Sequence, residues 1–207
     1  MKKIIIISTM LFILAFNAGD LFAGKGFSIR GGLYFDAPSQ EVVDEIETGI
    51  GFQGSFGFDP FDRVGFELGV LSSNHTFRLG TTGQFRDEDK ADKTAVFLKV
   101  RGVPYRYKQI EIVVGAGPAY YSIYADQRSE YTFSLISEEL SGLGLITSLD
   151  LRYYATDNLA VTGYIIGNIV KYTRKSQYSI HIENPGDLPR GDSIGWGINV
   201  FYRIGMP

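Results

Sequence analysis

Cysteine is absent from the 207-residue chain, and histidine, tryptophan and proline are scarce, with two, one and seven copies. Without cysteine the protein has no disulfide framework, no lipid-anchored N-terminal cysteine and no thiol-ligated metal. The formal net charge of −3 at pH 7 gives no reason to expect a nucleic-acid partner. Beyond residue 23, no apolar run reaches the roughly 18 to 20 residues of a membrane-spanning helix.

The first 23 residues have the layout of a secretory signal peptide. Lys2 and Lys3 give a basic start, residues 4–16 are almost wholly apolar, and a more polar tail ends at Ala23. The apolar stretch is shorter than a spanning helix needs, so cleavage is favoured over a retained anchor. The sequence predicts a cleaved signal peptide over 1–23 and one mature domain over 24–207. An exported chain without a spanning helix is either soluble or a β-barrel.

Glycine and aromatic residues are abundant, with 25 Gly, 15 Phe and 13 Tyr. With little proline, this composition favours many strands and tight turns over helices. Eight stretches alternate apolar and polar residues with a period of two, which is typical of strands whose two faces have different surroundings. These predicted strands cover residues 26–35, 49–58, 64–71, 94–103, 109–123, 142–154, 159–171 and 193–204. The predicted fold class is therefore all-β.

The connections between the predicted strands alternate in length. Short ones cover 59–63, 104–108 and 155–158, and long ones cover 36–48, 72–93, 124–141 and 172–192. Aromatic residues gather near both strand ends, as in the interfacial girdles of membrane barrels. Those near the short turns are Phe58, Phe61, Tyr105, Tyr107, Tyr153 and Tyr202, and those near the long loops are Tyr34, Phe35, Phe52, Tyr120, Tyr121, Tyr172 and Trp196. The pattern predicts an eight-stranded antiparallel up-and-down transmembrane β-barrel with short periplasmic turns and long extracellular loops.

Charged residues of the predicted strands fall on the face opposite the aliphatic one. They are Arg30, Glu67, Lys99, Arg101, Glu111, Asp150, Arg152 and Arg203. In a membrane barrel they form an ion network in the lumen, and glycines on the same face suit that narrow interior. In an exported soluble barrel they would instead be solvated, and the aliphatic face would line a cavity for an apolar ligand. With a turn at 104–108, the register places Arg101 opposite Glu111 as a lumen ion pair.

Four stretches of the chain carry a family resemblance: FLKVRGVPYRYKQIEIVVGAGPAYY (97–121), LGLITSLDLRYYATDNLAVTGYI (143–165), GFSIRGGLYF (26–35) and GINVFYRI (197–204). They resemble the small outer-membrane β-barrel family, which includes the OmpA-type transmembrane domain and the OmpX and OmpW proteins. The resemblance covers nearly the whole mature chain and implies a location in the bacterial outer membrane. The chain departs from the family at residues 203–207, where the family usually ends in an aromatic residue. The family has no single activity, so the resemblance implies location and fold more than function.

An eight-stranded barrel is just wide enough for side chains to fill it, so the charged lumen predicts a plugged barrel. The predicted role is structural, surface interaction or small-solute passage, without enzymatic activity. The expected partners are outer-membrane lipids and an extracellular or envelope partner bound through loops 36–48, 72–93, 124–141 and 172–192. No cofactor or nucleic acid is expected. No metal is expected either, because the acidic residues of loop 36–48 lack the spacing of a calcium loop.

A lipid-modifying hydrolase in the same fold is an alternative. In SIHIE (179–183), alternation puts Ser179, His181 and Glu183 on one strand face, with successive Cα atoms about 6.6 Å apart. A serine, a histidine and an acid are the groups of a nucleophilic hydrolase. A polar strand projecting past the membrane explains the same residues without catalysis. The other histidine, His75 in SSNH (72–75), is predicted to be a surface residue at the start of a loop.

Overall fold

The computed structural model describes residues 26–39, 47–76, 90–128, 135–177, 180–182 and 190–204. The signal peptide predicted for 1–23 lies outside these residues. The described residues form strands β1 (Gly26–Pro38), β2 (Gly49–Phe61), β3 (Val64–Thr76), β4 (Lys90–Tyr107), β5 (Ile110–Arg128), β6 (Leu135–Tyr154), β7 (Leu159–Gln177), β8 (Ile180–Ile182) and β9 (Ser193–Ile204). No helix long and apolar enough to cross a membrane occurs among them.

Eight of these strands, all except β8, close into a barrel. Each of β1 to β6 pairs antiparallel with the next strand, β7 pairs with β9, and β9 pairs with β1. The short β8 extends the sheet beside the end of β7. Closure gives every barrel strand a hydrogen-bonded neighbour on both sides, which a sheet in lipid requires. The predicted eight-stranded antiparallel barrel is confirmed.

The barrel has a short-turn end, with connections at 62–63, 108–109 and 155–158, and an opposite long-loop end. Strands extend further toward the long-loop end than the sequence predicted. Thr76 of β3 pairs with Lys90 of β4, and Arg128 of β5 pairs with Leu135 of β6. The predicted loop bounds 36–48, 72–93, 124–141 and 172–192 are therefore too wide. Beyond the apolar band both strand faces are polar, so the alternation disappears while the backbone ladder continues.

The turn between β4 and β5 is tighter than predicted. It consists of Lys108 and Gln109, because Tyr107 already pairs with Ile110. The predicted turn 104–108 is wrong because most of that segment belongs to β4.

Strand β4 also contains a bulge, which changes its register with β5 by one residue. The regular pairing is interrupted between Gly102 and Tyr105, and the bulge takes up Val103 and Pro104. Proline has no amide hydrogen to give to a sheet ladder, so it is accommodated at bulges and edges. The turn at Lys108 and Gln109, with a change of one residue at the bulge, places Arg101 opposite Gly115.

The aliphatic face of the sheet points outward. Leu33, Leu143 and Ile198 are 60 %, 69 % and 63 % exposed, and every barrel strand has at least one exposed apolar side chain on this face. The polar face points into the lumen. A soluble barrel with an aliphatic ligand cavity is therefore wrong, because the face that would line that cavity is outside. An apolar exterior of this kind is the lipid-facing surface of a membrane barrel.

Aromatic side chains mark both ends of the exterior. Exposed rings at the short-turn end are Phe61, Tyr105, Tyr107, Tyr153 and Tyr202, and those at the long-loop end are Phe52, Tyr120, Tyr124 and Trp196. The sequence prediction was wrong for Tyr34, Tyr121 and Tyr172, which are buried in the lumen. Each of them lies two residues from another lumen-facing residue of its strand, so the alternation puts it on the inner face.

Candidate functional site

Five charged side chains meet inside the barrel and form what we call the central ion cluster: Arg30, Glu67, Lys99, Arg101 and Asp150. None is more than 4 % exposed. Arg30 Nη1 reaches across the lumen from β1 to β6 and lies 2.7 Å from Asp150 Oδ2. Glu67 lies among three cations, with Lys99 Nζ at 3.4 Å and one guanidinium nitrogen of Arg30 and of Arg101 at 3.6 Å each.

Strand register and a small neighbour assemble this cluster. Glu67 of β3 pairs directly with Lys99 of β4, and the alternation turns both side chains inward. Gly57 of β2 leaves space for a third member, because a Cβ there would overlap the Arg101 guanidinium and Ser28 Oγ. Glycine on the inner face thus makes room for long charged side chains in a narrow barrel.

The central ion cluster is electrically balanced once a neighbouring acid is counted. Arg101 Nη2 lies 2.7 Å from Asp59 Oδ1 on β2, whose side chain is 22 % exposed. Three basic side chains then face three acids. Charges held away from bulk water attract each other strongly, and leaving one unpaired is costly. The arrangement can therefore hold the lumen shut.

A second group, called the Glu111 cluster, lies nearer the short-turn end. Glu111 accepts hydrogen bonds from Arg152 Nη1 at 3.2 Å and Tyr154 Oη at 3.0 Å, and Arg106 Nε lies 2.7 Å away. Arg203 Nη2 donates to Tyr154 Oη at 2.7 Å. The Glu111 carboxylate thus lies at the centre of a group of three arginines.

The structure distributes the eight predicted lumen charges between these two clusters. The predicted contact between Arg101 and Glu111 is wrong, because Arg101 contacts Asp59 and Glu67 while Glu111 contacts Arg106. The position of the turn is the reason: with Lys108 and Gln109 as the turn, Glu111 pairs with Arg106 and Arg101 pairs with Gly115. Sequence reasoning missed Arg106 because it placed that residue in a turn.

A third polar group, called the Asp36 cluster, lies toward the long-loop end. Tyr34 Oη donates to Asp36 Oδ1 at 2.8 Å, and Lys93 Nζ donates to Asp36 Oδ2 at 2.9 Å and to Ser193 Oγ at 2.7 Å. His75 Nε2 lies 3.4 Å from Asp36 Oδ2. Sequence reasoning missed this group because it assigned Asp36 and Lys93 to loops, although both continue the inward alternation of their strands.

His75 belongs to the Asp36 cluster and is only 2 % exposed, so the prediction of a surface residue is wrong. The residue lies on the extended part of β3, two positions beyond the buried Ser73. Its Nδ1 lies 2.9 Å from the backbone oxygen of Glu47, so that nitrogen carries the proton and donates.

Ser73, His75 and Asp36 contain the residue types of a hydrolytic triad but not its geometry. Ser73 Oγ lies 2.9 Å from His75 Nε2, and Asp36 Oδ2 approaches the same nitrogen at 3.4 Å. A relay needs the acid on one ring nitrogen and the nucleophile on the other. The cluster is therefore a buried hydrogen-bond network that closes the long-loop half of the lumen.

An apolar cluster fills the lumen between the central ion cluster and the Asp36 cluster. It contains Tyr34, Leu71, Ala95, Phe97, Ala119, Tyr121, Ile146, Tyr164, Ile166, Val170 and Tyr172. Lys99 Nζ lies 4.8 Å from the Phe97 ring centre on one side, and Lys93 Nζ lies 5.8 Å from the Tyr121 ring centre on the other. The described part of the interior is thus packed in layers.

The hydrolase alternative rests on residues that the structure describes only in part. The backbone of His181 pairs with Ser176 in the β7–β8 ladder. Ser179 and Glu183 lie outside the described residues, so their grouping stays a prediction. Among described residues, no group of three histidine or acidic side chains is placed to hold a metal ion.

Comparison with known proteins shows similarity in fold. No family model and no curated protein matches the chain. The outer membrane protein OprG from Pseudomonas aeruginosa matches with a TM-score of 0.66 and 13 % identity over 89 % of this chain and 98 % of that one. A major outer membrane protein from Thermus thermophilus matches at 0.61 and 16 % identity over 87 % and 99 %. Ail, the attachment invasion locus protein of Yersinia pestis, matches at 0.55 and 12 % identity over 88 % and 99 %.

The structural similarity supports the fold, and sequence identities this low assign no activity. The closed antiparallel sheet agrees with the fold of these neighbours. The chain is therefore a small β-barrel of the bacterial outer-membrane type, as the resemblance to that family implied.

Proposed function

We propose that the protein is a plugged outer-membrane barrel, with a structural role in the envelope, that passes small ions only when its central ion cluster rearranges. The observation that carries this proposal is the position of Glu67. Its carboxylate is 1 % exposed and lies among three cations from three other strand positions. If one of those contacts breaks, two others remain, so Glu67 stays paired with cations when side chains move slightly.

The layers above and below the central ion cluster support a closed resting state. The apolar cluster blocks the lumen on one side with side chains such as Phe97 and Tyr121, which are at most 1 % exposed. The Glu111 cluster narrows it on the other. An eight-stranded barrel has little interior space beyond its own side chains. Passage therefore requires that side chains of the apolar cluster move as well as charged ones, and it is limited to small ions.

Single-channel recording in a planar bilayer tests this proposal with the variant Glu67→Gln. The substitution removes one of three acids and leaves three cations that repel one another, so we expect a higher conductance and a shift toward anion selectivity. Glu139→Gln is the matched control, because Glu139 is exposed on β6 and its carboxylate binds Ser122 outside the lumen. Equal conductance for wild type, Glu67→Gln and the control would mean that this cluster does not plug the barrel.

Surface interaction is a second candidate, favoured by unequal strand lengths. Strands β4 to β7 have 18, 19, 20 and 19 residues, whereas β1, β2, β3 and β9 have 13, 13, 13 and 12. One wall of the barrel therefore projects past the other at the long-loop end. The structurally similar Ail has been solved with the heparin analogue sucrose octasulfate. A sulfated saccharide is accordingly a suitable first probe of this wall and its predicted loops.

A shortened hairpin tests the surface role. Tyr124 and Glu139 pair directly across β5 and β6, so an Asn-Gly link between them closes the hairpin in register. We expect this deletion to keep the heat-modifiable gel mobility of a folded barrel and to lose binding of sucrose octasulfate. Full binding by the shortened protein would contradict a role for this wall.

A further inference from the structure

A cavity of about 260 Å³ opens at the short-turn end of the lumen. The β2–β3 turn forms part of its rim, and the deeper wall reaches Arg101 of the central ion cluster. Its charged lining consists of Arg63, Arg101, Arg106, Arg152, Arg203, Asp59 and Asp62. Arginines outnumber acids in this lining, even when the nearby Glu111 is added to the acids. The cavity therefore carries an excess of positive charge at a mouth that faces the periplasm.

Two of these guanidinium groups have donors that no described protein atom accepts. Arg152 is 3 % exposed and uses Nη1 for Glu111 and Tyr154, while its Nε and Nη2 have no hydrogen-bond partner among the described residues. Arg101 is 4 % exposed and uses Nη2 for Asp59, while its Nε has no such partner either. Buried donors without acceptors are uncommon because each costs free energy, so such positions indicate a missing acceptor.

Neighbouring groups hold Arg152 in place. The Phe201 ring lies 3.7 Å from the Arg152 guanidinium carbon and covers one face of that plane. Glu111 anchors one edge through Nη1. Nε and Nη2 form the other edge of the planar fork, and this edge is the one that lacks an acceptor in the described part of the protein. Phe201 and Glu111 thus fix the orientation of this edge.

We propose that this cavity binds an oxyanion of the phosphate class from the periplasmic side. The paired N–H groups of a guanidinium match two oxygens of a tetrahedral oxyanion, and such charge-assisted bonds are strong. A cavity of about 260 Å³ holds phosphate together with several waters, since a water occupies about 30 Å³. This site shares Arg101 with the central ion cluster but requires no conduction through the barrel.

Arg106 completes the site at the rim. Its side chain is 42 % exposed, with Nε 2.7 Å from Glu111 Oε1 and Nη2 donating to the Asp62 backbone oxygen at 3.1 Å. An entering oxyanion meets this arginine first and competes with Glu111 for its guanidinium. Glu111 is therefore an internal competitor of the ligand, because the same carboxylate engages Arg106 and Arg152.

Isothermal titration of the folded barrel in detergent with inorganic phosphate, in low-salt buffer without chloride, tests the site. We expect saturable binding by the wild type, weakened at least about tenfold in Arg152→Gln because the fork is lost. Glu111→Gln should bind phosphate about tenfold more tightly, since it frees the guanidinium groups that Glu111 occupies. Arg174→Gln is the matched control and should bind like wild type, because Arg174 is exposed near the opposite end of the barrel.

Glu111→Gln keeps the test decisive even if Arg152→Gln fails to fold, because a misfolded protein does not gain affinity. Titration with glycerol 3-phosphate distinguishes two sources of the anion. Tighter binding of glycerol 3-phosphate than of phosphate indicates a phospholipid-like headgroup. Equal or weaker binding of glycerol 3-phosphate indicates free phosphate. Either result supports the phosphate-class site. Absence of saturable binding by the wild type would overturn the proposal, as would a Glu111→Gln variant that binds no more tightly.

Discussion

At the scale of single residues, Glu111 and Arg101 differ in the charged side chain that loses its partner when each is removed. Loss of Glu111 takes the acceptor from Arg152, which is 3 % exposed and has no second acid among its contacts with described residues. Breaking a buried pair typically costs about 3–5 kcal/mol, so Glu111→Ala should lower the free energy of unfolding by that amount. Arg101→Ala should lower the free energy of unfolding by less. Asp59 is partly exposed, and Glu67 keeps its contacts with Lys99 and Arg30.

Denaturant unfolding in lipid vesicles, followed by the fluorescence of Trp196, measures both free energies. Trp196 is the one tryptophan of the chain and lies on the exterior. Phosphate should be left out of these experiments, since a ligand of the folded state would mask part of the loss. A larger loss for Arg101→Ala than for Glu111→Ala would contradict this account of the two clusters.

Residue by residue, the sequence predicts which face a strand side chain occupies better than which partner it meets. The period of two is set by the backbone, so Glu67 and Lys99 both face inward as the alternation implies. Contacts depend on register, and the register of the β4–β5 hairpin depends on the position of its turn and on the bulge at Val103 and Pro104, which the alternation does not reveal. His75 shows a related limit, because its inward parity was hidden by the polar residues around it.

At the scale of elements, the β4–β5 hairpin depends on an uncommon backbone conformation. Lys108 has φ of 51°, the left-handed region that non-glycine residues avoid. Lys108→Gly removes that cost, whereas Lys108→Val adds branching at Cβ. Both lose the contact of Lys108 Nζ with the Tyr107 ring, so the comparison isolates the backbone. We expect the glycine variant to be more stable than the valine variant by about 1–2 kcal/mol in denaturant unfolding. Equal stability would show that the turn adopts another conformation.

Element boundaries were the least predictable part of the fold. The existence of all eight barrel strands follows from the alternation, but the structure extends β3 to Thr76 and begins β4 at Lys90. In these extensions neither face contacts lipid, so no apolar residue is required there. The backbone ladder and polar side-chain contacts such as that of Lys93 with Asp36 hold the strands together there, and they leave little mark in the sequence. The Asp36 cluster lies at this margin, which explains why the sequence did not reveal it.

At the scale of the whole molecule, the barrel combines an apolar exterior with a charged interior, the reverse of a soluble fold. The sequence predicted this architecture because lipid imposes one rule on every strand, apolar outward, and eight strands repeat it. The interior follows no such rule. Ion clusters, aromatic rings and glycines occupy the lumen according to the local space. The sequence alone does not predict this arrangement.

The orientation of the sheet makes a prediction for insertion into a membrane. Val100 is 51 % exposed on the exterior of β4, and Val113 of β5 is 2 % exposed on the lumen face beside the short-turn cavity. A lysine at the bilayer midplane costs about 2–4 kcal/mol on the lipid face, so Val100→Lys should reduce the fraction of protein that assembles into vesicles. Val113→Lys makes the same chemical change but places the ammonium group at a polar cavity instead of in lipid, so it should assemble more efficiently than Val100→Lys. The fraction of heat-modifiable protein on a gel measures assembly for both. Equal assembly of the two variants, or better assembly of Val100→Lys, would show that the outer and inner faces have been exchanged.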